Sequence, residues 1–319
     1  MSVNVARTDD GWWVENEGRL TPVRTRAGTT AELLADRPEV DKAANAPDPE
    51  GPRLKDVELR SPVTVPARVV AQMVNYRSHA HDSGFDPDTV PPAFFRKSSG
   101  SVCGPTADIR CPEHVHFLDY EVELGLVIGR RIEVGTSIDE GELAEFVAGL
   151  VVTNDVSARD IQLTRTQFYE SKSYPTFTPV GPFLTLVDDA DLAALERLRL
   201  TLSVNGEVRQ DSTAADMIVK PVRALNLLAR FQALDVGDLV LTGTPGGTAL
   251  KSPGAVAEKI GALLPTAVKW RTFFRNQARN PRYLKDGDVV AATITDAARG
   301  IDLGQQTNIV RGPARRVAL

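Results

Sequence analysis

Three acidic residues alternate with apolar residues in one stretch of the chain, residues 118–129. Asp119, Glu121 and Glu123 would share one face of a β-strand, because side chains two positions apart point to the same side. The opposite face would be formed by Tyr120, Val122, Leu124, Leu126 and Ile128. Carboxylates roughly 6.6 Å apart along a strand repel one another and resist burial unless a cation holds them. A divalent metal bound by carboxylate oxygens is the economical explanation, and a strand whose acidic face lies in water is the alternative.

A second group of residues has the spacing of a general base and its partner. Residues 69–74 form an apolar strand candidate that runs into a short helical segment containing His79 and Asp82. Residues three apart are neighbours on a helix, and a carboxylate beside an imidazole raises its basicity. The alternative is an incidental ion pair on a surface helix, and His81 lies off that face.

Polar residues also follow the strand predicted at residues 150–153. Asp155 comes at its end, and Ser157 is placed to cap a helix predicted at residues 158–167. Arg159 and Gln162 would share one face of the first turns of that helix. Such strand-to-helix junctions commonly carry site residues, although Asp155 and Arg159 could instead simply pair with each other.

The elements that must position these residues fall into two expected units. Residues 1–60 read as a small N-terminal α/β module in which Thr29 and Glu32 form a capping box, and the Pro-rich residues 46–54 as a linker. Residues 61–319 would form the main domain. Short strands of the module are predicted at residues 3–7, 12–15 and 20–22.

The second half of the chain contains clear turn signals. Asn205-Gly206 predicts a hairpin between strands, and the chain has Gly-Asp turns before two further apolar strands. The Gly-rich residues 242–247 lack the Gly-Lys-Ser/Thr ending of a nucleotide-binding loop. Further strands and helices are predicted at residues 183–187, 198–204, 137–148 and 221–233.

A helical insertion is expected at about residues 252–280, as two helices broken by Pro265. They are predicted at residues 255–264 and 266–278, and the second is basic and amphipathic. Such a helix can lie on a membrane, but packing against its own domain or a partner subunit is favoured in an acidic protein.

Composition excludes several classes of function. The 319-residue chain has 42% hydrophobic and 25% charged residues, which is ordinary for a globular protein. The net charge is −5 and no Lys/Arg-rich run occurs, which argues against nucleic acid as a partner. No apolar signal region or membrane-spanning run is present. Cys103 and Cys111 are expected to be reduced thiols, or a pair within one loop, so we expect a cytoplasmic protein.

Taken in order, the polar segments resemble those of the fumarylacetoacetate hydrolase family from about residue 60 to the C-terminus. The segments are Asn75-Tyr76 with His79, 95–99, 119–124, 154–162, Lys172-Ser173, Gly181-Pro182, 204–206, Gly237-Asp238 and 242–245. The resemblance implies an α+β, predominantly β fold, a mixed β-sandwich roll, and usually a homodimer. The family usually has Gly before Asn-Tyr, where this chain has Val74.

The resemblance also implies the roles of individual residues. Mg²⁺ or Mn²⁺, with Ca²⁺ as a further option, would be held by Glu121, Glu123 and Asp155. Substrate would contact Arg159, Gln162, Lys172, Thr244 and Tyr76. Catalysis would involve His79, Asp82 and Lys172, with the segment around His79 as a lid. In smaller family members, a His and a Glu that follows it three residues later together activate water. In this chain Asp82 stands at the position of that Glu.

We therefore expect a metal-dependent hydrolase that cleaves a carbon–carbon bond in a 2,4-dioxo acid of the acylpyruvate or fumarylpyruvate kind. The metal would stabilise the enolate that forms when the bond breaks. Decarboxylation, isomerisation or tautomerisation of a related 2-oxo acid could use the same platform. A binding or structural protein that keeps the scaffold without catalysis is an alternative of another class. A zinc site at His114 and His116 is a weaker alternative.

Overall fold

The computed structural model describes residues 2–165, 167–252 and 266–312, so the helix predicted at residues 255–264 lies outside the described residues. The helices are α1 (Thr30–Ala35), α2 (Arg37–Asn45), α3 (Arg77–Asp82), α4 (Leu143–Phe146), α5 (Arg159–Thr164), α6 (Asp189–Ala193), α7 (Pro221–Ala229) and α8 (Thr266–Gln277). The first nine strands are β1 (Val3–Thr8), β2 (Gly11–Asn16), β3 (Arg19–Pro22), β4 (Val69–Met73), β5 (Ala93–Lys97), β6 (Val102–Cys103), β7 (Ile109–Arg110), β8 (Leu118–Asp119) and β9 (Val122–Ile128). The others are β10 (Val147–Asn154), β11 (Ser157–Ala158), β12 (Thr178–Pro179), β13 (Phe183–Leu186), β14 (Arg199–Val204), β15 (Glu207–Thr213), β16 (Leu239–Leu241), β17 (Val289–Asp296) and β18 (Ile301–Arg311).

A nine-stranded mixed sheet forms the centre of the fold, in the order β3-β2-β1-β13-β10-β9-β16-β4-β5. Its middle strands β9 and β10 are buried on both faces, which is why their sequences are nearly continuous apolar runs. Strand β16 pairs parallel with β4 and antiparallel with β9. This arrangement brings the ends of β4, β9 and β10, with their polar residues, to one region of the sheet.

A second, five-stranded sheet in the order β15-β14-β17-β18-β7 packs against the first. Its strands alternate buried and exposed residues, as a sheet with one solvent face must. The predicted Asn205-Gly206 hairpin is confirmed, and both residues have the positive φ (53° and 81°) that such a turn requires. The predicted α+β, mostly β class with packed sheets is confirmed.

The N-terminal residues belong to the large sheet. Strand β1 pairs antiparallel with β13, so the three strands predicted in residues 1–60 extend the sheet of the main domain. The capping box of Thr29 and Glu32 is confirmed at the start of α1. The division of the chain at residue 60 stays a prediction.

The acidic strand is interrupted, contrary to the prediction of one continuous strand. Strand β8 ends at Asp119 and pairs with β11, whereas β9 begins only at Val122. Between them, the Glu121 N–H donates to the Asn154 side chain and the Asp119 carboxylate accepts from the Tyr120 N–H. These side-chain hydrogen bonds take the place of backbone hydrogen bonds between paired strands. The three acidic residues therefore do not lie on a single strand face.

Three predicted helix bounds are wrong for local reasons. The Ser157 hydroxyl donates to the Asp155 carbonyl, so it does not cap α5, which ends at Thr164. The capping box expected at residues 137–140 forms two residues later, between Asp139 and Glu142. That turn leads to the single short helix α4 before β10. Helix α7 ends at Ala229, four residues earlier than predicted.

In the described part of the chain, no helix is long and apolar enough to cross a membrane.

Close packing of the central sheet gives a first prediction, at Gly149. A Cβ added there would lie 2.7 Å from the Thr185 carbonyl oxygen, whereas one at Gly141 would meet nothing within 4 Å. We expect Gly149→Ala to lower the free energy of unfolding by about 1–3 kcal/mol, because the Thr185 backbone would have to move to make room for the added Cβ. Gly141→Ala is the matched control in urea denaturation. Equal stability of the two variants would contradict this packing.

Candidate active site

Three buried carboxylates converge where the large sheet ends. Glu123 lies on β9, Glu121 just before it, and Asp155 just after β10, which pairs with β9. Each residue offers a carboxylate oxygen, and these oxygens lie within 4.8 Å of one another. All three residues are at most 5% exposed. The solvated acidic strand considered as an alternative is therefore wrong for these side chains.

Buried cations surround the three carboxylates. The Lys172 ammonium donates to Glu121 at 2.7 Å and to Asp155 at 2.6 Å, and the Lys97 ammonium also pairs with Asp155. The Arg159 guanidinium donates to Asp119 at 2.8 Å and to Glu121 at 2.5 Å. The predicted alternative of an Asp155–Arg159 pair is wrong, because Arg159 donates to Asp119 and Glu121 instead.

The protein environment shifts the pKa values of Glu121 and Glu123 in opposite directions. Burial works to raise the pKa of Glu121, but Lys172 and Arg159 outweigh it and hold that pKa well below its ordinary value. Burial, together with the charges of Asp155 and Glu121, raises the pKa of Glu123 well above its ordinary value. The Gly243 N–H donates to Glu123 at 2.7 Å but does not offset this. Without a further cation, Glu123 is thus poorly stabilised as an anion.

A divalent cation fits this set of residues. Oxygen donors suit Mg²⁺, Mn²⁺ and Ca²⁺, and the raised pKa of Glu123 marks a shortage of positive charge beside three carboxylates. Lys97, Lys172 and Arg159 supply part of the charge and hold the carboxylates in place. Glu121, Glu123 and Asp155 are the residues that would bind the metal. Metal binding at these residues and the identity of the metal stay predictions.

His79 lines the same cavity as Glu121 and Glu123. It lies in α3, is 9% exposed, and its Nδ1 has no hydrogen-bond partner among the described residues. Burial lowers the pKa of His79 below its ordinary value, so the neutral imidazole is favoured. A neutral imidazole in the wall of a cavity can accept a proton from a bound molecule.

Asp82 does not partner His79. Its carboxylate accepts from the Gly247 N–H at 2.9 Å and pairs with Lys251 at 3.1 Å. Ser78, on the same helix, donates to Asp216 at 2.6 Å and accepts from the Gly246 N–H. The expected His79–Asp82 pair is wrong in this structure, because Gly247 of the Gly-rich loop binds one Asp82 oxygen and Lys251 binds the other. Asp82 fastens the helix to that loop.

The other predicted substrate contacts divide into two groups. Arg159, Gln162 and Lys172 line the cavity, and the Gln162 oxygen accepts from Arg159 at 2.7 Å. Thr244 also lines it, but its hydroxyl already donates to the Val122 carbonyl and accepts from Gln210. Tyr76 is fully buried in the core behind the site and is not part of the cavity wall.

The arrangement can be compared with known proteins. The family model described as fumarylacetoacetate (FAA) hydrolase C-terminal matches residues 68–311, which is most of the chain. The chain belongs to the fumarylacetoacetate hydrolase family. The family assignment expected from the spaced polar segments is therefore confirmed, and an enzyme of this family is supported.

Individual relatives carry the names of tautomerases and isomerases. Oxaloacetate tautomerase YisK of Bacillus subtilis is 37% identical over 61% of this chain and 64% of that protein. A mitochondrial oxaloacetate tautomerase of Bos taurus is 37% identical over 60% of each. This chain thus spans less than two thirds of either relative. The solved structure of 5-carboxymethyl-2-hydroxymuconate delta-isomerase from Mycobacterium smegmatis is 26% identical, with a TM-score of 0.67, and covers 99% of this chain and 100% of that one.

Members of the site that sequence reasoning missed are Lys97 and Gln210. Lys97 ends β5 and reaches Asp155, and Gln210 on β15 accepts from the Val122 N–H while donating to Thr244. Lys97 stood in a segment that carried the family resemblance, but a lysine at a strand end gives no signal of burial. Asp119 was noted as acidic, and the structure makes it the anchor of Arg159.

The zinc alternative finds no support in the described residues. The carboxylate cluster is the group there whose ligand atoms converge. His114 is exposed and contacts the Tyr174 hydroxyl at 2.8 Å. Cys103 and Cys111 are free thiols, and burial raises the pKa of Cys103 to about 12, so neither is a reactive thiolate.

Lys97 gives a prediction about the metal-free protein. We expect Lys97→Met to lower the free energy of unfolding by about 3 kcal/mol in chelator, because Asp155 loses a buried cationic partner. Added Mg²⁺ should recover part of this loss. Lys55→Met, at an exposed position, is the control. Urea denaturation with and without Mg²⁺ measures both, and an unchanged stability of Lys97→Met would contradict the pairing.

Proposed function

We propose that this protein is a metal-dependent tautomerase or isomerase of a 2-oxo acid. The observation that carries the proposal is His79, a neutral base at the cavity whose expected carboxylate partner is bound elsewhere. The names of the relatives support the same reaction class. The hydrolysis of a 2,4-dioxo acid that the sequence led us to expect is unconfirmed.

The difference between the two reactions lies in what the base must do. Hydrolysis needs an attacking water, and a base that activates water benefits from a carboxylate that stabilises its protonated form. Tautomerisation moves one proton between C3 and the C2 oxygen and consumes no water. A single neutral imidazole is sufficient for the second task. His79 without Asp82 suits proton transfer better than water activation.

The cationic residues would orient the substrate. Three hydrogen bonds fix the Arg159 guanidinium, which leaves two of its five N–H groups for a substrate carboxylate. Lys172 likewise uses two of its N–H groups, which leaves one for the oxygen that gains charge. A bound Mg²⁺ or Mn²⁺ would supply Lewis-acid stabilisation of the enolate.

With these groups in place, His79 would take the C3 proton and deliver it to the C2 oxygen, which gives the enol; the reverse transfer restores the keto form. His79 is only 9% exposed, which limits contact between the imidazole and bulk water. Lys172 and Arg159 hold the substrate so that C3 lies toward the imidazole. The homodimer and the cytoplasmic location remain part of this proposal and await measurement.

The test is a product assay on chelator-stripped protein with Mg²⁺ or Mn²⁺ restored. Oxaloacetate, acetylpyruvate and fumarylpyruvate are offered, tautomer equilibration is followed by ultraviolet absorbance, and products are identified by mass. We expect metal-dependent equilibration with no change in mass. Pyruvate plus a carboxylic acid would assign hydrolysis, and CO₂ from oxaloacetate would assign decarboxylation; either result would replace the proposal.

A further inference from the structure

The cavity next to the carboxylates has two chemically different ends. At one end lie Glu121, Glu123, Arg159 and Lys172, which contact or adjoin one another, and His79 lines the same cavity. The remaining wall is largely apolar and encloses a cavity of about 340 Å³. That wall includes Met73, Val74, Phe95, Leu163, Phe168 and Leu250.

Two aromatic side chains that pack against each other form part of the apolar wall. The Phe95 and Phe168 rings meet edge to face, with centroids 5.6 Å apart, and both face the cavity. The Lys172 ammonium lies 5.5 Å from the Phe95 ring centre, so the aromatic pair begins where the charged end stops. A substrate held by its carboxylate at the charged end would therefore extend along aromatic surface.

Charge is distributed unevenly along the cavity. Of the cations among the described lining residues, Arg159 and Lys172 belong to the carboxylate end. The other, Lys251, pairs with Asp82 at 3.1 Å. A second carboxylate on the substrate would therefore meet mostly apolar side chains and one lysine whose side chain is 54% exposed, so that water and Asp82 screen its charge. Burying a charge without a partner is costly, whereas burying an apolar group is favourable.

Val74 supplies an independent observation. Its φ is +48°, in the left-handed region where a β-branched residue is strained and glycine is not. The strained residue lines the cavity, directly after β4 and five residues before His79. A strained backbone at a cavity wall marks Val74 as a residue whose role in the cavity can be tested.

We infer that the site selects 2-oxo acids whose tail beyond C3 is apolar, and that Val74 and Phe168 determine this specificity. The inference rests on the proposed function for its chemistry, but its content is the binding preference. The class of ligand is a 2-oxo acid with an aryl or branched alkyl substituent. A 2-oxo dicarboxylate would be the poorer ligand.

Calorimetric binding to Mg²⁺-loaded protein tests the preference without relying on turnover. Phenylpyruvate and oxaloacetate are compared, and we expect phenylpyruvate to bind at least about tenfold more tightly, as contact with an apolar wall allows. Val74→Gly and Phe168→Ala should each reduce that ratio by about tenfold or more. Phe231→Ala, at a position 64% exposed, should leave the ratio unchanged.

The outcomes separate the two proposals. If oxaloacetate binds as tightly as phenylpyruvate, or if Phe168→Ala leaves the ratio unchanged, the inference is wrong whatever the enzyme catalyses. If phenylpyruvate is preferred but neither compound is tautomerised faster with metal, the proposed function fails and the binding preference stands. A circular dichroism spectrum like that of the parent protein checks that each variant is folded.

Discussion

Glu123→Gln protein stripped of metal is expected to unfold at a higher temperature than the parent at pH 8, and at a lower temperature once Mg²⁺ is added. The metal-free parent holds Glu123 beside Asp155 and Glu121, and burial with these charges raises its pKa. A glutamine keeps an oxygen for the Gly243 N–H and can donate to the neighbouring carboxylates. It therefore removes the free-energy cost that Glu123 has at pH 8, either of burying its charge or of taking up a proton on folding.

The pH dependence has a definite sign. A carboxyl whose pKa is raised in the folded protein keeps its proton there while the unfolded chain loses it above about pH 4.5. The contribution of Glu123 to the free energy of unfolding is therefore lost progressively as the pH rises from about 4.5 to the pKa of Glu123 in the folded protein. Glutamine does not titrate, so the advantage of metal-free Glu123→Gln should grow with pH over this window.

With metal the order should reverse. A metal present at about 100 times its dissociation constant stabilises the parent by about 2.7 kcal/mol. If loss of one carboxylate ligand weakens binding by about 100-fold, the variant gains only about 0.4 kcal/mol at the same concentration. Thermal unfolding with a Mg²⁺ titration measures both. Glu50→Gln, at an exposed position, is the control, and an equal Mg²⁺ shift in parent and variant would remove Glu123 from the metal site.

Glu121 and Glu123 could be predicted as candidate metal ligands because their signal is local, whereas Asp155 was assigned through the family resemblance. Glu121 and Glu123 stand two apart beside an apolar run, and Asp155 follows the next central strand, so pairing of β9 with β10 brings them together. The hairpin at Asn205-Gly206 was equally local, since two residues with positive φ define the turn. Patterns of this kind depend on near neighbours in the chain.

The parts of the site that could not be predicted depend on distant partners. Asp82 has the right spacing for His79, but the backbone of Gly247, 165 residues away, takes its oxygen. The buried Lys97 ammonium binds Asp155, 58 residues further along the chain, and the Phe177 carbonyl, 80 residues further. The acidic strand splits because Asn154 hydrogen-bonds to the Glu121 backbone. The spacing of residues along the chain cannot reveal which of several polar groups a side chain will bind in the folded protein.

His79→Asn is expected to lower kcat by about 10²- to 10⁴-fold, the usual contribution of a general base. Asp82→Asn should change kcat by no more than about threefold, because Asp82 contacts Gly247 and Lys251 and an asparagine oxygen can still accept from Gly247. Metal affinity should be unchanged in both variants, since neither residue belongs to the carboxylate cluster. Tautomer equilibration and Mg²⁺ titration measure the two quantities separately.

The pH profile distinguishes a base from a structural residue. Proton abstraction requires neutral His79, so kcat should fall only as pH drops through its pKa, which burial places below 6.5. Residual activity of His79→Asn should lack this acidic limb, whereas Asp82→Asn should keep it. If Asp82→Asn loses as much activity as His79→Asn, the two residues act as a pair during turnover, and water activation with hydrolysis again becomes the better assignment.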